Sequence, residues 1–394
     1  MFLTTGRTVG AISQMILLFA LATRVNAESY GVTVSLMSLT GFLAALLDWG
    51  MPTALFNSSI NGKYDVVARV QSVSFTVNLP LLFIALISGL ATSISSNNQV
   101  WSSVCFISAW AISEKLYEYR NLLQISQNKV MEASFQIAGR RVAALMLFLV
   151  FSSIKGADVV TVFLLSLLMP SLSALGWKGL KTKIPMAKPR EILACYRAST
   201  GYAMSSASGL LRNSDVGVVG ALGGPDLAAT YSLPNRIFSQ LLLVGASIAN
   251  VGVSNRAFST LKSARMLVSI GLSVTALLAG ASYLLSELTQ PLVRDAVTWW
   301  PLETSLAVAF FTLKFGLISV SSVLSAQLDY FGAGLKAGCA NLIFTFCSLV
   351  SLGLTALATD NMVFLNIGFV VICFLQLGYL YRLLKAKLTL VEIG

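Results

Sequence analysis

The sequence predicts an all-α, polytopic membrane protein with about twelve transmembrane helices in two six-helix bundles. Of its 394 residues, 56% are apolar and only 11% are charged, and its mean hydropathy is strongly positive. Apolar stretches of about 20 residues, the length that spans a bilayer as a helix, recur along almost the whole chain. This composition lies well outside the range of soluble globular domains.

Twelve apolar stretches qualify as membrane spans and are separated by short polar segments. The fourth and the seventh contain charged residues, which are rare in spans. The predicted spans cover residues 8–26, 32–54, 71–93, 101–122, 135–154, 158–177, 199–222, 227–251, 266–287, 303–326, 336–358 and 362–381.

The 27 Lys and Arg residues, which give a net charge of +11, are distributed unevenly between the two sides of the membrane. If the N-terminus lies in the cytoplasm, the outer segments contain only Arg24, Lys155 and Arg294. Three other cations lie deep inside spans, and all the rest are assigned to the cytoplasmic side. The positive-inside rule therefore places both termini in the cytoplasm. Because topology accounts for the basic charge, no nucleic-acid partner is predicted.

The densest basic segment, KGLKTKIPMAKPREILACYR, lies almost at the midpoint of the chain. Pro185 and Pro189 disfavour a continuous helix there. We therefore predict an N-terminal six-helix bundle over 1–177, a basic cytoplasmic linker over 178–198 and a C-terminal six-helix bundle over 199–394. Two halves of nearly equal length are typical of transporters built from repeated bundles.

The first apolar stretch has two interpretations. Arg7, the apolar run and the sequence VNA before Glu28 also fit a cleavable signal peptide. Cleavage there would leave the rest of the topology unchanged. We expect a retained first helix because a motif described below requires it.

Three cations lie deep inside predicted spans of the C-terminal half. At a rise of about 1.5 Å per residue, Arg212, Arg236 and Lys314 lie about 14 to 17 Å below the outer surface, close to the bilayer midplane. A charge there costs about 2.5 to 3.5 kcal/mol, so it normally faces a bundle interior or a wet cavity. We expect these three residues to bind an anionic substrate.

Asp215 follows Arg212 by three positions, which places both residues on one face of a continuous helix. It is either a counter-charge to Arg212 or a residue that couples transport to an ion. The spacing alone does not decide between these two roles.

The N-terminal half contains carboxylates in its spans instead of isolated cations. Asp48 and Glu114 are candidate ion-coupling residues for H⁺ or Na⁺, because burial destabilises the charged form of a carboxylate. A structural role is the alternative. Asp48 would then brace neighbouring helices, and Glu118 would pair with Lys115 or Arg120.

The sequence offers little support for catalysis or for a channel. The chain has no histidine, its five cysteines form no CxxC motif, and we predict no disulfide, metal site or cofactor. The outer segments contain no acidic cluster, Gly-rich phosphate loop or nucleophile arrangement, so a membrane polymerase or glycosyltransferase is disfavoured. No selectivity-filter motif indicates a channel.

Three short stretches match known transporter motifs. The turn ATRVNAESYG fits the pattern R-x-L-G-x-x-x-[YF]-G at Arg24, Tyr30 and Gly31, with Val-Asn where Leu-Gly is usual. LLDWG fits a following D-x-G. The stretch NSDVGVVGALGGPDLAATYSLPNRI fits a third pattern, matched at Asn213, Asp215, Gly220, Ala228, Tyr231 and Arg236.

Together these stretches resemble the polysaccharide flippases of the multidrug/oligosaccharidyl-lipid/polysaccharide exporter superfamily. The resemblance implies a V-shaped, alternating-access exporter of the bacterial inner membrane that serves O-antigen or lipopolysaccharide biosynthesis. Its substrate would be an undecaprenyl-pyrophosphate-linked oligosaccharide, flipped from the cytoplasmic to the periplasmic leaflet, and the pyrophosphate would be the expected anion. The resemblance also implies a substrate-binding role for Arg24, with membrane lipids and polysaccharide-assembly proteins as partners.

Two alternatives from the same superfamily stay open. A multidrug exporter would share the helices, although organic cations favour an acidic cavity. A lipid II flippase would share a cationic cavity but usually has two additional helices.

Overall fold

The computed structural model describes residues 2–95, 99–175, 186–239, 242, 261–300, 304–331 and 333–393. Within these ranges the chain forms α-helices joined by short turns, and no strand occurs among them. The predicted all-α, polytopic membrane fold is confirmed. The chain divides into two compact units, Met1–Ser206 (unit 1) and Ala207–Gly394 (unit 2).

Unit 1 contains seven complete helices and most of an eighth within the described ranges. They are α1 Phe2–Ala22, α2 Ala27–Asp48, α3 Met51–Ile60, α4 Tyr64–Ser95, α5 Gln99–Ser126, α6 Val130–Phe151, α7 Val159–Leu175 and α8 Pro189–Arg212.

Unit 2 begins inside α8 and contains six further helices within the described ranges. They are α9 Asp215–Gly223, α10 Pro225–Phe238, α11 Leu261–Ala296, α12 Thr304–Tyr330, α13 Gly334–Ala358 and α14 Met362–Ile393.

Eight helices of the described part are long and apolar enough to cross a membrane, namely α1, α2, α4, α6, α11, α12, α13 and α14. The other four predicted spans correspond to α5, which contains several charges, to α7, which is short, to the α8–α9 pair, and to α10. The eighth predicted span extends beyond α10 into residues outside the described ranges.

A central helix organises each unit. In unit 1, α5 packs against α2, α4 and α7, while α6 packs against α1 and α7. In unit 2, α12 packs against α10, α11 and α14, while α13 packs against α9 and α14. In chain order these are the same pairings, so the two units repeat one packing pattern.

Small residues allow close helix contacts in both units, as is common in membrane bundles. A Cβ atom added at Gly6 of α1 would overlap Ser134 of α6, and one added at Gly316 of α12 would overlap Thr275 of α11. Both helix pairs therefore depend on the missing side chain at these glycines.

The second predicted span ends earlier than expected. We predicted a helix to residue 54, but α2 ends at Asp48 and α3 begins at Met51. Trp49 and Gly50 have φ angles of 43° and 75°. These left-handed conformations are incompatible with a continuous right-handed helix.

The C-terminal part of the predicted linker is helical. Pro189 is the first residue of α8, a position that tolerates proline because the first N–H of a helix needs no intrahelical partner. Ala187 and Cys195 pack into a buried cluster with Met51, Leu55 and other residues of unit 1. The described end of the basic segment is thus part of the unit 1 core.

Candidate functional site

The main candidate site is a buried polar network in unit 2, centred on Lys314 of α12. Its ammonium lies 2.9 Å from Asp215 Oδ2, 2.8 Å from the Tyr231 hydroxyl and 3.0 Å from Asn235 Oδ1. All three oxygens accept hydrogen bonds from Nζ, and an ammonium has three N–H donors. The Lys314 side chain is 0% exposed. The protein itself therefore satisfies this cation completely.

Asp215 receives further support from the same network. Its Oδ1 accepts hydrogen bonds from the backbone N–H of Val216 at 2.7 Å and from Asn235 Nδ2 at 3.3 Å. The Tyr231 hydroxyl donates to Oδ2 at 3.2 Å. Because buried charges are tolerated when paired and hydrogen-bonded, this arrangement accounts for an aspartate and a lysine inside an apolar bundle.

Four aromatic rings surround the Lys314 ammonium. Nζ lies 4.3 Å from the ring centroid of Phe369, 4.8 Å from Phe315, 5.2 Å from Tyr231 and 5.6 Å from Phe311. All four distances fall within the range of cation–π attraction. The oxygens and rings come from α9, α10, α12 and α14, so the site exists only when these four helices are assembled.

The structure changes the predicted relationship between Arg212 and Asp215. We predicted that they share one helical face, but α8 ends at Arg212 and α9 begins at Asp215, with Asn213 and Ser214 in a turn between them. Arg212 still interacts electrostatically with Asp215. The hydrogen-bonded partner of Asp215 is Lys314, which lies 99 positions away in the sequence.

Arg212 and Arg236 are half-buried, in contrast to Lys314. Arg236 lies in the last turn of α10, and the helix continues through Pro234 without interruption. The prediction that Arg212, Arg236 and Lys314 bind an anionic substrate stays a prediction. In this conformation the Lys314 ammonium is fully used by protein oxygens.

Unit 1 contains a second charged network, centred on Glu114 of α5. Oε1 of Glu114 pairs with Arg140, and Oε2 lies 3.0 Å from Arg141 Nη2. Ser171 of α7 donates a hydrogen bond to Oε1 at 2.7 Å. The guanidinium of Arg140 stacks over the Tyr117 ring at 3.9 Å from its centroid. Two arginines thus share one carboxylate.

Sequence reasoning missed the role of Arg140 and Arg141, which we placed on the cytoplasmic side. Both lie in the middle of α6, and Arg140 is buried. The pairing could have been found from the positions of these residues relative to the turn between α5 and α6. The α5–α6 turn around Gln127 lies 13 positions from both Glu114 and Arg140, so two antiparallel helices bring them to the same level.

A third network surrounds Asp48 at the end of α2. Tyr119 donates to Asp48 Oδ1 at 3.1 Å, and Lys115 Nζ lies 3.5 Å from Oδ2. Lys115 also binds Glu118 at 2.8 Å, which confirms the structural alternative stated for Glu118. The side chains run from 45% exposed at Glu118 to 20% at Lys115 and 3% at Asp48.

Arg24 lies apart from these networks, in the turn between α1 and α2. Its guanidinium donates to Ser152 just after α6 and lies 5.6 Å from the Phe148 ring centroid. Asn26 in the same turn caps α2 by accepting a hydrogen bond from the Ser29 N–H at 2.9 Å. The Arg24 contacts join the end of α6 to the turn between α1 and α2.

Comparisons with known proteins show the fold. No protein-family model and no curated protein matches this chain. An inward-facing multidrug resistance MATE family transporter of the MOP superfamily is similar, with a TM-score of 0.66, 14% identity and coverage of 96% of this chain and 95% of that one. The chain has the fold of the MOP superfamily transporters.

Two further solved structures support this statement. An outward-facing multidrug resistance MATE family transporter has a TM-score of 0.60 at 13% identity, covering 100% of this chain and 95% of that one. A MOP superfamily transporter from Pyrococcus furiosus, described by a reverse polarity of its binding pocket that suggests a different function, has a TM-score of 0.60 at 14% identity. It covers 99% of this chain and 94% of that one. The fold is thus known in inward-facing and outward-facing conformations.

Proposed function

We propose that this chain is an alternating-access flippase that moves an undecaprenyl-pyrophosphate-linked oligosaccharide from the cytoplasmic to the periplasmic leaflet of a bacterial inner membrane. The proposal includes cytoplasmic termini, an N-terminal bundle over 1–177, a linker over 178–198 and a C-terminal bundle over 199–394. Its partners would be membrane lipids and polysaccharide-assembly proteins.

The observation that carries the proposal is the excess of cations in two of the three charged networks, those centred on Glu114 and on Lys314. In unit 1, Arg140 and Arg141 share Glu114. In unit 2, Lys314 binds Asp215 and Arg212 interacts with the same carboxylate. Among the described residues, each of these two networks therefore carries two positive charges and one negative charge. An excess of positive charge inside an apolar bundle favours an anionic ligand, and a pyrophosphate is such a ligand.

A multidrug exporter is the second candidate, favoured by the MATE transporters among the similar structures. An organic cation would require an unpaired carboxylate. The three candidate carboxylates, Asp48, Glu114 and Asp215, each lie within 4 Å of a protein cation. This pairing supports the anionic substrate over the cationic one.

We propose Arg212 and Arg236 as the residues that meet the anionic group, with Arg24 and Lys314 as further members of the substrate-binding set. Arg212 and Arg236 retain partial exposure, whereas Lys314 is fully enclosed. Asp48, Glu114 and Asp215 are proposed to couple the cycle to H⁺ or Na⁺. Asp48 fits this role because Lys115 and Glu118 connect it to more exposed positions.

The test is translocation of a fluorescent undecaprenyl-pyrophosphate-linked oligosaccharide in proteoliposomes at matched insertion. The variants are Arg212→Ala and Arg236→Ala, with the exposed Lys336→Ala on α13 as the matched control. We expect loss of transport in both arginine variants and wild-type transport in the control. Full activity in both arginine variants would contradict the proposed substrate site, and transport of cationic dyes instead would favour the multidrug alternative.

Ion coupling is tested in the same vesicles with Asp48→Asn. We expect the variant to lose the dependence of transport on an imposed H⁺ or Na⁺ gradient while it still exchanges substrate without one. An unchanged gradient dependence would exclude Asp48 as the coupling residue.

A further inference from the structure

The surroundings of the Lys314 ammonium have the chemistry of a ligand site for an ammonium ion. Three oxygen acceptors lie within 3.0 Å of Nζ, and one of them is a carboxylate. Four aromatic rings face it at 4.3 to 5.6 Å. Aromatic rings combined with an anion are the usual means by which proteins recognise ammonium ligands. Here the ammonium belongs to the protein.

The site is more elaborate than a simple ion pair requires. Neutralising Lys314 takes one carboxylate, yet Asn235 and the rings of Phe315 and Phe369 also contact or surround it. Lys314 and Tyr231 are 0% exposed and Asn235 is 5% exposed, so these groups are shielded from bulk solvent. The selectivity of such a site comes from N–H donors matched to three acceptors.

We propose that Asp215, Tyr231, Asn235 and their aromatic neighbours form a binding site for a primary alkylammonium ion, and that Lys314 fills this site as a tethered internal ligand. The inference deepens the proposed function, and it rests on that function only in taking the chain to be a transporter. A transporter whose cation site is filled by its own lysine excludes small organic cations in that conformation, and Lys314 is then a determinant of substrate class.

The experiment removes the lysine side chain that fills the site and then adds a free amine with the same atoms. Lys314→Ala deletes three carbons and the ammonium, which are the atoms of n-propylammonium. The purified full-length variant is titrated with n-propylammonium chloride, and its melting temperature is measured. We expect a saturable rise in Tm for Lys314→Ala and none for the wild-type protein, whose site is filled.

Four controls separate binding from general solvent effects. Lys314→Met fills the space of the lysine without a charge, so it should not respond to the amine. n-Propanol tests the need for charge, and tetramethylammonium tests the need for N–H donors. Both should shift the Tm of Lys314→Ala less than n-propylammonium. The double variant Lys314→Ala/Asp215→Ala should lose the response.

The proposal is overturned if folded Lys314→Ala shows no saturable response, or if wild type and Lys314→Met respond equally. If Lys314→Ala is recovered only as aggregate, membranes are extracted with and without n-propylammonium. Recovery of monodisperse protein only with the amine is then the expected result, and recovery with neither overturns the proposal. The titration needs no lipid-linked saccharide, so its outcome is independent of the transport assay.

Discussion

The network centred on Glu114 in unit 1 and the network centred on Lys314 in unit 2 contain similar groups. They differ in how completely the hydrogen-bonding groups find partners. In unit 2 every N–H of the Lys314 ammonium has an oxygen acceptor. In unit 1 Arg140 Nε and the Tyr117 hydroxyl are buried without a hydrogen-bond partner in the described part of the chain. The central helix also changes sign, since α5 supplies a carboxylate and α12 supplies a cation.

The difference indicates a division of roles within one repeated packing pattern. A fully satisfied network is rigid and specifies a single arrangement. Unsatisfied buried groups cost free energy, and they persist where a ligand or an ordered water satisfies them. The Glu114 side chain is also 18% exposed, compared with 5% for Asp215. The network around Lys314 therefore fixes the helices of unit 2. The network around Glu114 instead retains two groups that are unsatisfied among the described residues, Arg140 Nε and the Tyr117 hydroxyl, and that are able to hydrogen-bond a ligand or a water.

The largest expected effect comes from removing the carboxylate of unit 2. Asp215→Ala leaves the Lys314 ammonium buried without its counter-charge, which typically costs about 3 to 5 kcal/mol. Glu114→Ala should cost less because Arg141 lies nearer the surface and is able to recruit water. Thermal unfolding of both purified variants in one detergent checks this order. A larger loss of thermal stability for Glu114→Ala would instead identify unit 1 as the more rigid unit.

A double variant tests whether Asp215 and Lys314 stabilise the fold as a pair. Asp215→Leu leaves the Lys314 ammonium without its carboxylate, and Lys314→Met leaves Asp215 without its hydrogen-bonded cation, whereas the double variant removes both charges of the pair. We expect the double variant to be more stable than either single one, with a coupling energy of about 1 to 3 kcal/mol. Unfolding of all four proteins gives the cycle. Additive effects would show that the two charges do not stabilise each other.

A smaller effect is expected at the glycine contacts. Gly316→Ala places a Cβ atom where Thr275 already lies, and overpacking of this kind costs about 1 to 3 kcal/mol. Gly280→Ala on α11 is the matched control, because an added Cβ there meets nothing within 4 Å. The control should leave Tm unchanged or raise it slightly. Equal Tm values for the two variants would show that the close contact between α11 and α12 does not contribute to stability.

The smallest effect is expected at Glu118. Its side chain is 45% exposed and pairs with Lys115 at 2.8 Å, and exposed ion pairs contribute less than about 1 kcal/mol. Glu118→Gln should therefore leave the unfolding midpoint nearly unchanged, measured beside Asp48→Asn. A large loss at Glu118 would mean that it sustains the buried part of the network.

The sequence predicted the long apolar helices well because span length and composition are local properties. It did not predict where helices break. The turn at Asn213 and Ser214 lies in an apolar stretch, and left-handed Trp49 has no local signal, although Gly50 beside it has one. The sequence placed Lys314 inside an apolar span, and its side chain is fully buried in the structure, but the sequence did not identify its partner. Asp215 lies on α9, Tyr231 and Asn235 lie on α10, and Lys314 lies on α12, so only tertiary packing assembles them.

The long sequence separation within the unit 2 network has a consequence for biogenesis. Glu114 and Arg140 are 26 positions apart, so both leave the ribosome within one helical hairpin. Asp215 and Lys314 are 99 positions apart, and at about 5 to 20 residues per second the aspartate waits roughly 5 to 20 s for its partner. During that interval Asp215 lacks the Lys314 ammonium, which is the cation that it binds in the folded protein. Nascent chains stalled before and after residue 314 should therefore differ in how readily α9 is released into lipid.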